Sequence, residues 1–523
     1  MLLRKPMTRL PAERDLEYRP RPYVNHSVQL KRMYDRDERL RRLLDLGLNI
    51  FDFPADMVTG CDLLSDSGTT AMTHEQWAAL HLGDESYGSN RGFFMLAEQV
   101  RETFGDDFFT LPGEGEPCAF LFHQGRAAES ALFSVVAQAS PGATVPNNGH
   151  FDTTRANLEM QGISAVDLYS PALRRRDETV RFQGNMDLAR LEAMLREQGA
   201  SIPMILLTIT NNTGGGHPVS MANIREVAAL ARDYDRPLLF DACRFAENAY
   251  FIQRYEAGYE GHSIPEIVRE MFSYVDGFLV SFKKDGMVNM GGGLFLRKGG
   301  RLQHRIPGLC SRLTDEQIAR EGNPTYGGLS GRDIMALVEG LRTSTRVDYL
   351  AHRIEQVAML GQELAARDVP VILPTGGHAV YIDIDQFFEG TAMRREDYGG
   401  VAVSASLLAA FGHRTCELGC FAFGKVDPET GEDRLPELNF LRLAVPRLRY
   451  ERQDLVALAH AMGLLYQMRH QISPVDIVYG RELSLRHFKA RLEFRDPAWV
   501  RLLGERDSAP QVLEPRTRTT TAA

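Results

Sequence analysis

GFLVSFKKDGMVNMGGG, residues 277–293, decides the fold class. Its first six residues are apolar or small and end at a charge, the pattern of a short buried strand. Lys283 and Lys284 then stand side by side at that strand's carboxyl end. An ammonium is costly to bury unless it is paired or used chemically, so the pair marks a site rather than a solvated face. Three more short apolar runs lie upstream: AFLF (119–122), MILLTI (204–209) and PLLF (237–240). Between the last two, SMANIREVAALARDYD (220–235) carries apolar residues at helical spacing. Strand, helix and strand over this length predict a βαβ unit with a parallel sheet, hence an α/β protein. Ligands of such sheets bind beyond the carboxyl ends of the strands, which directs attention to the residues after each run.

After AFLF comes His123-Gln124-Gly125-Arg126, opening the helix AAESALFSVVAQA (127–139). A glycine at a helix start lets backbone N–H groups approach an anion, and the helix dipole and an arginine add to the attraction. An ordinary glycine turn would read the same way. After PLLF comes Asp241, which taken alone is equally a helix N-cap. The ordered set is more specific than its members, because it matches the needs of pyridoxal 5′-phosphate (PLP). Backbone, serine and arginine donors hold the phosphate. A carboxylate keeps the pyridine nitrogen protonated. A partly desolvated lysine amine joins the aldehyde and later moves a Cα proton.

The 523 residues suggest two or three domains. Residues 1–34 are Arg- and Pro-rich and read as an extended arm, and 495–523 as a disordered tail rich in Pro and Thr. A large domain is expected over 73–346. A smaller α+β domain is expected over 347–494, joined by 35–72. It begins with the helical pattern of residues 348–366, and HAVYIDID (378–385) alternates as a half-exposed strand does. A formal charge of -9, from 69 acidic and 60 basic residues, gives no reason to expect nucleic acid or an anionic membrane surface as partner. No run of 18 apolar residues occurs, the start lacks the apolar core of a signal peptide, and the six cysteines have no CxxC spacing. A soluble, cytoplasmic protein without a membrane partner is the expectation.

Longer motifs extend this reading. DLLSDSGTTAM (62–72), GDESYGS (83–89), HQGRAAES (123–130), HFDTTR (150–155), NNTGGGHPVSMAN (211–223), DACRFAENAYFI (241–252) and SFKKDGMVNMGGG (281–293) are followed by PTYGGLSGRD (324–333), PTGGHAVYID (374–383), LRLAVPR (441–447) and LRHFKARL (485–492). In this order they resemble the aromatic amino-acid β-eliminating lyases, the tryptophanase and tyrosine phenol-lyase family. The resemblance implies PLP-dependent transferase fold type I, similar to aspartate aminotransferase, with a mostly parallel sheet in the large domain. It also implies a homotetramer built as a dimer of dimers, with sites formed across a dimer interface.

The resemblance assigns roles. Lys284 carries the cofactor with Lys283 beside it. Gln124, Gly125, Arg126 and Ser281 match the phosphate binders, and Phe151 the ring stacked on the pyridine. Asp241 matches the partner of the pyridine nitrogen, and Asn212 and Arg244 the contacts to the ring hydroxyl. Arg442 matches the arginine that grips the substrate carboxylate, with Ser65, Ser67 and Asn212 nearby. Tyr87 resembles the tyrosine that helps protonate the leaving group. Gly68, Glu85 and Asn289 match a site for a monovalent cation, K+ or NH4+.

Asp152, Leu418 and His487-Phe488 stand where tyrosine phenol-lyases use threonine, arginine and Phe-Phe, so the chain resembles tryptophanase more closely. Expelling indole requires a proton at its C3 carbon, which Asp152, His487 and Tyr87 could handle. A pocket lacking a partner for a phenol hydroxyl discriminates poorly in favour of tyrosine. The expected reaction converts L-tryptophan to indole, pyruvate and ammonia. Asn323, where the family has an apolar pocket residue, His123 in place of threonine, and the divergent stretch 105–120 leave alternatives open: tyrosine, a modified aromatic amino acid or a cysteine S-conjugate. A PLP-binding protein without turnover is a more remote reading.

Overall fold

The computed structural model describes residues 21–504 apart from 26 and 428; the rest of the expected arm and tail, 1–20 and 505–523, lies outside the described residues. The central sheet has five strands in the order Ala119–Phe122, Gly292–Leu296, Gly277–Ser281, Leu238–Asp241, Ile205–Thr208. All four apolar runs form strands. The last three strands in that order are mutually parallel. Gly292–Leu296 runs antiparallel to both of its neighbours. Sequence reasoning did not foresee this strand, because its two leading glycines hide the apolar run behind them.

Both faces of the sheet are buried, which is why its strands read as continuous apolar runs. Leu121, Leu207, Phe240, Phe278 and Phe295 point into one core with the helices Arg91–Phe104, Phe245–Tyr255, Ile264–Ser273 and Gly331–Ser344. Phe120, Phe122, Leu206, Leu239, Leu279 and Leu294 point into the other, with Gly125–Ala139 and Leu309–Glu321. The crossover helix Met221–Asp233 starts where Ser220 accepts the amide of Asn223 at 3.1 Å.

A second core joins residues of 40–63 to residues of 357–503 around a three-stranded antiparallel sheet, Ala379–Asp383, Phe440–Ala444 and Cys416–Leu418. Here two expectations need correction. Ala379–Asp383 is buried on both faces, not half-exposed: Val380 and Ile382 enter the large second core, while Ala379 and Tyr381 pack with Leu418 and Phe440. The stretch after 494 is not all tail. Pro497–Gly504 is a helix that buries Trp499 and Leu503, and the Trp499 indole donates to Ser406 Oγ at 3.1 Å. Among the described residues no helix is long and apolar enough to cross a membrane.

Candidate active site

The carboxyl ends of the central strands surround a cleft lined on its strand side by Gln124, Gly125, Asp241, Cys243, Ser281, Lys283 and Lys284. Ser67, Arg126, Phe151, Asn212 and Arg244 line it as well. The geometry therefore brings together the expected lysines, phosphate binders, stacking ring and pyridine partner. Ser65 differs: its hydroxyl accepts the Ser67 amide at 3.1 Å and shapes the loop instead of lining the cleft.

The cleft's anion end follows from local structure. The helix Gly125–Ala139 begins at its mouth, and its N-cap residue Gln124 makes no side-chain capping bond, so the first-turn amides are uncapped by a side chain. Gly125 is required by close approach: a Cβ there would meet Ser281 Cβ at 2.8 Å. Gly292 is required in the same way, since its Cβ would lie 2.3 Å from the Gln124 carbonyl carbon. Around this helix end stand Arg126, Lys283 and Lys284, and among the described residues no acidic side chain pairs with any of them. Burial, then repulsion from Lys284 and Arg126, pushes the Lys283 ammonium below its usual range. Three cations that make no direct ion pair among the described residues, with an open helix N-terminus, fit a phosphate. With Asp241 at one side and Phe151 lining another, the residues present fit PLP.

Arg442 has the same character on the small-domain sheet. It is buried, donates to Asn212 Oδ1 at 3.0 Å and to the Leu64 carbonyl at 2.9 Å, and has no carboxylate partner among the described residues. Its Nε is buried without any acceptor. A guanidinium so placed is suited to a carboxylate brought by a ligand. Asn212 is held further by Tyr381, whose hydroxyl donates to its backbone carbonyl at 2.5 Å, and by His378, whose Nε2 lies 2.9 Å from its Oδ1.

Asp152 Oδ2 and His487 Nε2 lie 2.8 Å apart, both side chains buried. Asp152 opens the helix Asp152–Met160, where the dipole favours an anion. Burial opposes its charge, but His487 and the Thr153 amide hold its carboxyl below the usual range. His487 is fixed by its neighbour Arg486, whose guanidinium donates to the carbonyls of Phe421 at 2.8 Å and Cys420 at 3.0 Å. Its ring contacts Phe51 and Phe488, with centroids 5.6 and 4.2 Å away. Leu418 pairs with Phe440 in the strand register and shares Arg442's face of the sheet, since Cys416 pairs with Arg442. Phe51 was missed by sequence reasoning; the only signal was its place in an apolar stretch just before the 62–72 motif.

Three expectations are not met within one chain. Tyr87 is 76% exposed, on the loop after the helix His74–Leu82, and its ring meets Tyr326 edge-on. Asn323 lies on the same side, against Gly88, its Oδ1 accepting from Thr325. Of the cation set, Gly68 sits beside the carbonyl of Asn289 and donates to that of Lys283 at 2.7 Å. Glu85, 71% exposed, pairs instead with Arg332 at 3.0 Å. Tyr87 and Glu85 share a cause: both stand exposed on the loop after the helix His74–Leu82 in the single chain. Arg244 lines the cleft, yet its guanidinium is held by Asp66 at 2.7 and 3.0 Å. That pair belongs to a buried network not foreseen from sequence. Arg447 binds Asp66, Glu247 and Asp285 at 3.0, 2.7 and 2.8 Å, and Arg353 meets Glu247 at 3.2 Å.

Residues 62–461 match the family model described as β-eliminating lyase. A probable tryptophanase of Aeropyrum pernix is 42% identical over 91% of this chain and 97% of its own. A tryptophanase of Salinibacter ruber is 41% identical over 92% and 96%. A tyrosine phenol-lyase of Lacrimispora saccharolytica is 40% identical over 91% and 97%. In fold, the chain is similar to threonine aldolase of Leishmania major, with a TM-score of 0.51 at 12% identity over 78% of this chain and 99% of that one. It is likewise similar to an aromatic aminotransferase of Pyrococcus horikoshii, with a TM-score of 0.52 at 12% identity over 79% and 96%.

Proposed function

Because the chain belongs to the β-eliminating lyase family, we propose that its substrate is L-tryptophan, which it converts with water to indole, pyruvate and ammonia. It is a PLP-dependent lyase of aromatic amino acids with the fold of type I PLP enzymes. When bound, PLP supplies an electron sink for the charge that develops at the substrate Cα.

The chain's residues supply the rest. Arg126, Lys283, Ser281 and the Gly125 helix end hold the phosphate. Asp241 would hold the proton of the pyridine nitrogen, Asn212 and Arg244 would meet the ring hydroxyl, and Phe151 would stack on the ring. Arg442 grips the substrate carboxylate, with Ser67 beside it and Ser65 shaping that loop. Lys284 carries the cofactor, and its Nζ takes the Cα proton. Asp152 and His487 form the group that delivers a proton to indole C3, with Phe51, Leu418 and Phe488 as the apolar surround. Tyr87, Asn323 and the cation set Gly68, Glu85 and Asn289, for K+ or NH4+, belong to an interface between copies in a homotetramer. The exposure of Trp77, Leu82 and Tyr87 supports that reading.

The observation that carries tryptophan over tyrosine is the buried Asp152–His487 pair at 2.8 Å, together with apolar Leu418 on Arg442's face of the small-domain sheet. A phenol hydroxyl would need a polar partner in that surround. The test is pyruvate release from protein supplied with PLP and potassium, given L-tryptophan, L-tyrosine and an S-alkyl cysteine separately. Equal yields of indole and pyruvate from tryptophan, with far slower release from tyrosine, are expected. Preference for either other substrate would overturn the assignment and direct attention to Asn323.

A further inference from the structure

One buried carboxyl in the cleft has no part in this chemistry. Glu129 lies one turn into the helix Gly125–Ala139, lines the same cleft as Asp241, and is buried. Thr154 Oγ1 donates to its Oε1 at 2.6 Å and Asn157 Nδ2 to its Oε2 at 3.2 Å, both from the helix Asp152–Met160. Among the described residues no Lys, Arg or His nitrogen pairs with it. The cleft thus holds two carboxyl groups, one assigned to the pyridine nitrogen and one to nothing. A buried anion without a cation is costly, and two in one cleft are costlier.

We propose that Glu129 is a proton-exchanging neighbour of Asp241, protonated while the cofactor is absent and ionised when the cofactor's protonated ring is bound beside the two carboxyl groups. Glu129 then adds to the negative field that holds the pyridinium, a positioning residue acting through Asp241. The electrostatics agree in direction. Burial first, and then the Asp241 charge, push the Glu129 carboxyl up to about 7, against the hydrogen bonds from Thr154 and Asn157 and the attraction of Lys284. The other groups facing this space are Cys243, whose thiol burial and Asp241 push up to about 12, and Lys283, Arg126 and Arg244. Arg244 is already neutralised by Asp66. In this proposal the protonated ring, set against Asp241, favours the ionised acid, so PLP binding expels this proton and PLP affinity rises with pH through about 7.

The inference rests on the cofactor reading, and its test separates the two. PLP is titrated calorimetrically into cofactor-free wild type and E129Q, in two buffers of different ionisation enthalpy near neutral pH. The joining of aldehyde and amine is common to both proteins, so the difference isolates Glu129. Wild type should release up to about one proton more per PLP than E129Q. Its Kd should also fall more steeply between pH 6 and 8, by at most about tenfold per unit. Infrared difference spectra of the wild type alone, with and without PLP, should lose a protonated-carboxyl C=O band, a readout independent of whether E129Q folds. Equal proton counts, or no loss of that band, would overturn the role of Glu129 while leaving PLP binding intact. A chain that binds no PLP would overturn the cofactor reading and this one with it.

Discussion

Lys284 and Asp285 are adjacent in the chain yet belong to two charge assemblies built on opposite rules. Asp285 is one of six groups, with Asp66, Arg244, Glu247, Arg353 and Arg447, in which every guanidinium meets a carboxylate at 2.7–3.2 Å. Lys284 stands with Lys283 and Arg126, where none meets an acid among the described residues. The first set is fully buried, where charge is expensive; in the second Lys283 and Lys284 are half-buried and Arg126 is exposed. The first meets that cost within the protein and locks the 62–72 loop and the helix Phe245–Tyr255 onto the strand ends. The second leaves its charge for a ligand. Unpaired charge at strand ends therefore marks function here, and paired charge marks architecture.

Removing a charge from each assembly should give opposite results. Lys284→Ala should lower pyruvate release by more than about 10³-fold, the scale of positioned proton transfer, while the melting temperature of the cofactor-free protein stays level or rises. Arg447→Met should do the reverse first: a loss of about 3–5 kcal/mol in denaturant unfolding, because Asp66, Glu247 and Asp285 lose a shared counter-charge. Equal stability in that variant would break the distinction. Arg442, unpaired like Lys284, should on substitution to Lys lose about 10–100-fold in kcat/KM with little change in unfolding, the worth of hydrogen bonds to a charged group.

A smaller effect is expected at Asp167, another paired group. His150 Nδ1 at 2.7 Å, Arg155 at 2.5 Å and the Tyr169 hydroxyl at 3.0 Å surround it. Burial opposes its charge, yet His150 and Arg155 bring its carboxyl down to about 2. A lowered folded value means stability that is present above the unfolded value of about 3.9 and lost as pH falls through the folded one. Asp167→Asn should thus cost about 2 kcal/mol at pH 6 and progressively less between pH 4 and 2, followed by urea unfolding across that range.

What was legible in the sequence follows the same division. Lys284, Asp241 and Gly125 each end a short apolar run, so a strand pattern and the strand-end rule suffice to place them together. Arg447 and Asp66 are 381 residues apart, and no local pattern announces their contact. Glu129 read as an ordinary helix residue, because its meaning depends on Asp241 across the cleft. Phe51 and the antiparallel strand Gly292–Leu296 escaped for related reasons, one placed by tertiary contacts and the other masked by glycine. Tyr87 and Glu85 stand in family motifs, but in the single chain they meet Tyr326 and Arg332 and do not line the cleft.

The central claim, that unpaired charge at these strand ends holds PLP on Lys284, is tested most directly by covalent trapping. The protein is loaded with PLP, reduced with borohydride, digested and analysed by peptide mass spectrometry. The account predicts one pyridoxyl phosphate group per chain, on Lys284 and not on Lys283. Modification of Lys283 instead, or of neither lysine, would contradict it.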